Sequence, residues 1–517
     1  MGHENTYRNP ILYFDYSDPD AIRVGEDYFL VASSFCNAPG LPLLHSKDLV
    51  HWEHIQNILP RIPGERYDEP VHGCGVWAPS IRYHEGRYYV FFPMPDEGIF
   101  VTTTKDPWGE WTEPVNIRPG AGWIDPCPFW DEDGKAYLVA GVAKSRIGYK
   151  SVLHLVEMQP DGMGLMGEER VVFDGNQNGQ HTIEGPKMYK RNGYYYIFAP
   201  AGGVKTGWQT VLRSKNVWGP YEYRVVLEQG DTNVNGPHQG AWVDTVMQED
   251  WFLHFQDVYA AGRIVRLQPM KWEQDWPVMG EPVSEYPMPK VGAVEWKEVH
   301  PPIEDDFRKG IGLQWQWNAN PGEDWFEVRE DGLHLLAVDK GKKPYGDCGN
   351  LLMQKWFAPE FTCFMELDLS NLKEKEEGGV ISFGMNYLVL AFVKEAYGYE
   401  VRVTEGSQHF GKILVEETTE KEHVITHIEN PKICVKYQVE RVGTRDLNEK
   451  EKNFPLERVT LSFCEDGGEF AEAGSMEAVP GRWVGTRFGM FCRAKEEKGK
   501  KGYLLCRKVS KEENNHA

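Results

Sequence analysis

A chain of 517 residues exceeds a single ordinary core, so at least two domains are expected. Its 56 Lys and Arg against 78 Asp and Glu leave a net charge of −22, which argues against nucleic acid or an acidic membrane as partner and favours a neutral one. Aromatics make up 13% of the chain, with 18 Trp, and flat apolar rings with a polar edge suit sugar faces as well as a core.

In chain order, Met1–Asn5 shows no basic segment leading into an apolar one, and no window reaches the roughly 18 apolar residues of a membrane span. A soluble, cytoplasmic protein is the expectation. The run Ser17 to Leu30 then places Asp18-Pro19 ahead of an apolar stretch, Gly25 after it, and Tyr28-Phe29 next. Such a run predicts strand, tight turn, strand, because glycine supplies the turn and aromatics suit a half-buried pleated surface. The layout returns at Ala78-Pro79 with Gly86 and Tyr88-Tyr89, at Asp125-Pro126 with Gly134 and Tyr137, and at Glu184-Gly185-Pro186 with Gly193 and Tyr194-Tyr195-Tyr196. A degenerate fifth copy, lacking the proline and the glycine, runs from Ala241-Trp242-Val243 to Trp251-Phe252. The prolines at 19, 79, 126 and 186 are spaced by 60, 47 and 60 residues. Repeats of this length built from short strands predict a five-bladed β-propeller. Between copies, segments ending in Trp52, Trp108 and Trp218 read as outer strands with the indole packed between blades.

The propeller is expected to close at Trp276-Pro277-Val278-Met279-Gly280. The fold class is therefore all-β, with a propeller over 1–283, a Pro-rich and charged linker over 284–303, and a β-sandwich over 304–517. Sandwich strands are expected at Leu333–Val338, Phe364–Leu369, Tyr399–Val403 and Val459–Phe463. The charge runs Lys373–Glu377 and Lys495–Lys498 read as solvated hairpin loops. Nine scattered cysteines with no C-x-x-C pair read as reduced and buried; Cys127 lies in a repeat head, where an apolar filler is favoured over a nucleophile.

Chemistry concentrates at three repeat heads, where Asp18, Asp125 and Glu184 stand. The innermost strand of every blade abuts the axis, so equivalent positions converge on one mouth. Carboxylates brought together raise one another's pKa, which keeps one protonated while another stays ionised, as acid/base hydrolysis of a glycosidic bond requires. Asp-Pro and Glu-Gly-Pro are also ordinary turn starters. A turn requirement alone does not explain carboxylates in three copies and Ala78 in the second.

Together with Asn9-Pro10-Ile11-Leu12, Gly75-Val76-Trp77-Ala78-Pro79, Ile124-Asp125-Pro126 and Ile183-Glu184-Gly185-Pro186, these heads resemble glycoside hydrolase family 43 over residues from about 9 to 282. Gly312–Asn318 and Pro480–Gly485 resemble the β-sandwich appended to its β-xylosidases and α-L-arabinofuranosidases. The resemblance implies an inverting exo-glycosidase releasing β-D-xylosyl or α-L-arabinofuranosyl units from oligosaccharides. It implies Asp18 as general base, Glu184 as general acid, Asp125 as the residue that tunes and orients the acid, Arg263 as a sugar ligand, and Phe35 and Trp77 as pocket aromatics. Arg266 lies close enough to compete with Arg263 for its role. No cofactor is implied for the chemistry itself, but a water-coordinated calcium ion on the axis near His238 is. One imidazole is no calcium site by itself, since calcium prefers several oxygens. Phe35-Cys36-Asn37 departs from the family's habit of a second bulky aromatic there. An endo-arabinanase and a non-catalytic carbohydrate-binding propeller are the alternatives, and a homo-oligomer is left open. A sandwich loop, with Trp315–Asn318 as the candidate, is expected either to narrow the mouth or only to buttress the propeller.

Overall fold

A computed structural model describes residues 6–292, 303–448, 453–465, 467–495 and 501–514. Met1–Asn5, much of the expected linker and most of the second charge run lie outside the described residues. Five four-stranded antiparallel sheets follow one another in chain order. They open with Asp20–Val24, Ser80–His84, Trp123–Trp130, Lys187–Arg191 and His238–Asp244, which are the innermost strands of blades 1 to 5. The expected prolines 19, 79 and 186 stand immediately ahead of three of these strands, and Pro126 falls at a register shift inside the third.

The glycine of each of the first four copies has positive φ: 64° at Gly25, 79° at Gly86, 83° at Gly134 and 71° at Gly193. Space around the first three is open, so backbone conformation and not crowding demands glycine there. Interblade tryptophans appear as expected. Trp52 joins Val243 and Trp251 of blade 5, Trp108 packs edge-on against His45 and Phe29 of blade 1, and Trp218 against Tyr137 of blade 3. The chain start returns to blade 5: Thr6–Arg8 pairs with Glu285–Pro287, and Leu12 bridges Val265.

The second half is a sandwich of two eight-stranded sheets. Its core is continuous with the propeller, since Val258, Ala260, Ala261 and Ile264 pack in one cluster with Trp315, Trp317, Phe361 and Met490. Backbone contacts fix the joint. Ala38 and Trp317 exchange N–H to carbonyl bonds of 3.1 and 2.6 Å, and the Thr486 N–H donates to the Ala260 carbonyl at 2.7 Å. The first charge run is only partly a solvated loop. Glu376 and Glu377 begin the strand Glu376–Phe383 and are buried, Glu377 against the Arg493 guanidinium and the Tyr345 hydroxyl. A partner from 116 residues away overrides the local reading. The nine cysteines are free thiols, eight of them buried. Cys127 sits in the core between blades 3 and 4, with Sγ accepting from Arg82 and from the Met188 N–H.

Candidate active site

The three carboxylates come from the heads of blades 1, 3 and 4, and the backbone explains their positions. Asp18 and Asp125, each directly before a proline, have φ of 56° and 55°, in a left-handed region that non-glycine residues seldom adopt and that gathers at functional sites. In blade 4 the residue before the proline is Gly185, with φ of 56°. A Cβ at Gly185 would come within 2.7 Å of the Gln239 side chain. The left-handed position must be glycine there, so the carboxylate is carried one residue earlier, at Glu184. That accounts for the offset seen between the repeats.

Asp18 is nearly buried and fully engaged: Arg263 Nη1 donates to Oδ1 at 2.9 Å and Ser33 Oγ to Oδ2 at 2.6 Å. Asp125 accepts from the Gly185 N–H at 2.8 Å, which ties it to the strand head that carries Glu184. Burial pushes the Asp125 carboxyl up, and the Glu184 and Asp18 carboxylates push it further. Asp125 therefore holds its proton above the usual carboxylate range. Glu184 is the most open of the three, with 24% of its side chain exposed, and its Oε1 lies 3.2 Å from His238 Nε2.

Arg263 is buried. Burial alone would depress its pKa, but Asp18, Asp257 and Asp15 more than offset this and hold the guanidinium charged. Arg266 points elsewhere, to Gln256 and the Val283 carbonyl, which removes the competition between the two arginines. Phe35 and Trp77 are neighbours, ring centroids 6.3 Å apart. Their segments are cross-bonded through Val76, and a Cβ on Gly75 would meet the Phe35 carbonyl at 2.3 Å, so glycine permits the approach. The Trp77 indole donates to the Gly73 carbonyl at 3.0 Å, and Arg146, paired with Asp96, stands over its ring.

The sandwich reaches this rim by a different loop from the one expected. Trp315 and Trp317 are buried in the sandwich core behind the segment that carries Phe35. The ring that meets Trp77 is Trp483, 6.4 Å away, edge-on and 41% exposed. Its loop is anchored by Asp15, whose Oδ2 accepts from the Gly485 N–H at 2.8 Å while Oδ1 accepts from the Arg263 N–H at 3.0 Å. One buried carboxylate therefore joins the sandwich loop to the backbone of the arginine that pairs with Asp18. Sequence reasoning missed Ser33, Asp15 and the position of Trp483. Only Trp483 had left a signal, in the run Pro480–Gly485.

His238 is buried with Nε2 toward Glu184 and Nδ1 without a partner in the protein. That nitrogen is a single neutral donor atom, and no group of three His, Cys, Asp or Glu side chains able to hold a metal occurs among the described residues. Calcium takes six to eight oxygens, which the implied water-coordinated ion would draw from its waters, with His238 among the side chains that would meet them; no step is routed through it.

Carboxylates at three blade heads, one of them paired with a buried arginine, and a group of neighbouring aromatic rings, on an acidic chain, fit a carbohydrate-cleaving enzyme, a glycoside hydrolase. Comparison with known proteins agrees: residues 7–277 match the model for glycosyl hydrolases family 43, and 304–504 match that of the β-xylosidase C-terminal concanavalin A-like domain. The chain belongs to glycoside hydrolase family 43. It is 45% identical over 94% of its length to a Xylanibacter ruminicola protein provisionally named a β-xylosidase, covering 86% of that protein. It is 35% identical to a non-reducing end α-L-arabinofuranosidase of Bacteroides ovatus, over 73% of this chain and 74% of that one. The fold of a xylan β-1,4-xylosidase from Bacillus halodurans superposes with a TM-score of 0.82 at 22% identity, covering 98% of this chain and all of the other.

Proposed function

We propose that the protein is an inverting exo-glycosidase that removes terminal β-D-xylosyl units from short oligosaccharides, with α-L-arabinofuranosyl units as second substrate. The observation that carries this reading is the division of labour among the carboxylates. Asp18, paired with Arg263 and accepting from Ser33, keeps a second lone pair on each oxygen to take a proton from water. Glu184, the most exposed of the three, stands one residue from the Gly185 N–H that binds Asp125 and is the one placed to give a proton to the departing oxygen.

In the reaction the C1–O bond breaks as Glu184 gives its proton to the leaving oxygen. A water on the opposite face forms the new C1–O bond and passes a proton to Asp18. Both carboxyl groups return to their starting states by proton exchange with solvent. Arg263 keeps Asp18 oriented, and Phe35, Trp77 and Trp483 stack on the sugar and exclude water around it. The names of the relatives support both pentosides. Rings from two domains around one mouth favour release of end units over internal cleavage. Assays with aryl β-D-xyloside, aryl α-L-arabinofuranoside, xylobiose and linear arabinan test the proposal. Release of single sugars from the first three is expected, and cleavage confined to the interior of arabinan would replace it with the endo reading.

A further inference from the structure

The sandwich face that meets the propeller holds two cations for which the reaction scheme above has no use. Lys355 ends the strand Leu351–Lys355 and Arg487 begins the strand Arg487–Ala494, and the two stand directly opposite each other in the antiparallel register. Both are buried. Both donate to a single uncharged atom, Gln316 Oε1, Lys355 from Nζ and Arg487 from Nη1, each at 3.0 Å. Their side chains therefore share one face of the sheet and converge on one point. The propeller closes over that point, with the Tyr16 ring 5.6 Å from Lys355 Nζ and the Pro39 carbonyl accepting from Gln316 Nε2 at 2.7 Å.

Like charges directly opposite on a sheet repel, and a buried charge is stable only with a counter-charge or a full set of hydrogen bonds. Neither cation forms an ion pair with a carboxylate among the described residues. Asp15, the carboxylate that attracts both from further off, is taken up by the Ser17 hydroxyl and the Gly485 and Arg263 N–H groups. Donors are left over. Gln316 takes one of the three that an ammonium carries, and Arg487 Nε has no acceptor. A cavity of ≈ 20 Å³ lies at this point, walled by Lys355 and Gln316 from the sandwich and by Tyr16, His54 and Asn57 from the propeller. That is room for one small occupant and too little for a sugar. The repulsion has one other outlet, loss of the Lys355 proton, since burial and then Arg487 push that amine down to about 7. Such a loss still leaves Arg487 without a counter-charge, whereas one anion serves both.

We propose that Lys355 and Arg487, with Gln316, form the positive wall of a binding site for one small monovalent anion of chloride size, held between the two domains. The inference does not depend on the hydrolytic reading above. Its effect falls on the joint. Arg487 directly follows Gly485 and Thr486, whose N–H groups bond to Asp15 and to the Ala260 carbonyl, so the anion ties the strand leading out of the Trp483 loop to the propeller. An anion that binds only the joined, folded state raises stability with its concentration.

The test uses the full-length protein in sodium gluconate, whose anion is too large for the cavity, replaced stepwise by sodium bromide at constant ionic strength. Tm is expected to rise by about 2 °C or more and to level off as the site fills. Crystals soaked in bromide are expected to show an anomalous peak within hydrogen-bonding reach of Lys355 Nζ. Lys355→Met, which removes one of the opposed charges, is expected to fold, to be at least as stable as wild type in gluconate and to lose the bromide response. A wild-type Tm that is the same in both salts overturns the proposal and leaves a neutral Lys355 amine as the resolution of the repulsion. An equal bromide response in Lys355→Met, or a bromide-soaked crystal with no peak at the joint, overturns it too. Should Lys355→Met not fold, Lys355→Gln and the wild-type crystal decide the matter. Activity enters none of these readouts, so the hydrolytic reading and the anion site stand or fall separately.

Discussion

The three carboxylates differ in their surroundings, and Glu184 is the most exposed. As the proposed acid it should matter most where the leaving group is poor, since only then is protonation needed. Glu184→Ala should lose most activity on xylobiose yet keep far more on an aryl glycoside whose phenol has a low pKa, as initial rates on the two substrates will show. Asp18→Ala should lose both, because water attack is needed with either. Equal losses on both substrates for folded Glu184→Ala would assign the acid elsewhere. Asp125 carries a second prediction. Its carboxyl is raised by burial and by its acidic neighbours, so the native state holds a proton that the unfolded chain, with a pKa of about 3.9, has released. Stability is fully present below that value and is lost as pH rises from there toward neutrality. Asp125→Asn removes the loss, so the variant should gain on the order of 1–3 kcal/mol relative to wild type at neutral pH but little near pH 4, by urea denaturation at both.

At the scale of elements, the blade heads were legible because turn glycines and prolines are local signals, as Gly25 and Gly86 show. The offset of Glu184 was visible as a fact but not as a consequence, because its cause is the approach of Gln239 from another blade to Gly185. The rim loop was misassigned for a related reason. Its anchor joins Asp15 to Gly485 across 470 residues, and no periodicity reports such a contact. The buried Glu377 was read as solvated because Arg493, its partner, is equally remote. The loop carries its own prediction. A Cβ on Gly485 would lie 2.7 Å from the Ala261 carbonyl, a backbone atom with little room to yield. Gly485→Ala should lower Tm by several degrees, corresponding to about 1–3 kcal/mol. It should reduce kcat/KM on xylobiose more than on a small aryl xyloside, because Trp483 shifts away from Trp77. Unchanged Tm and unchanged preference would show that the joint is loose.

For the whole molecule, the two domains share a core, with Ala260, Ala261 and Ile264 of the propeller packed among sandwich residues. A chain ending near residue 302 would expose that surface and lose Trp483, the second of the two indoles. It should be less stable and lose activity on xylobiose, a result that thermal melts and sugar release will report. In the proposed reading Asp18, paired with Arg263, is the base and the more exposed Glu184 the acid, which is the arrangement of single displacement by water. The most direct test is proton NMR of the first sugar released from an aryl β-D-xyloside, recorded before mutarotation. The structure predicts α-xylose, with configuration inverted at C1; β-xylose as the first product would contradict the assignment of Asp18 as the base.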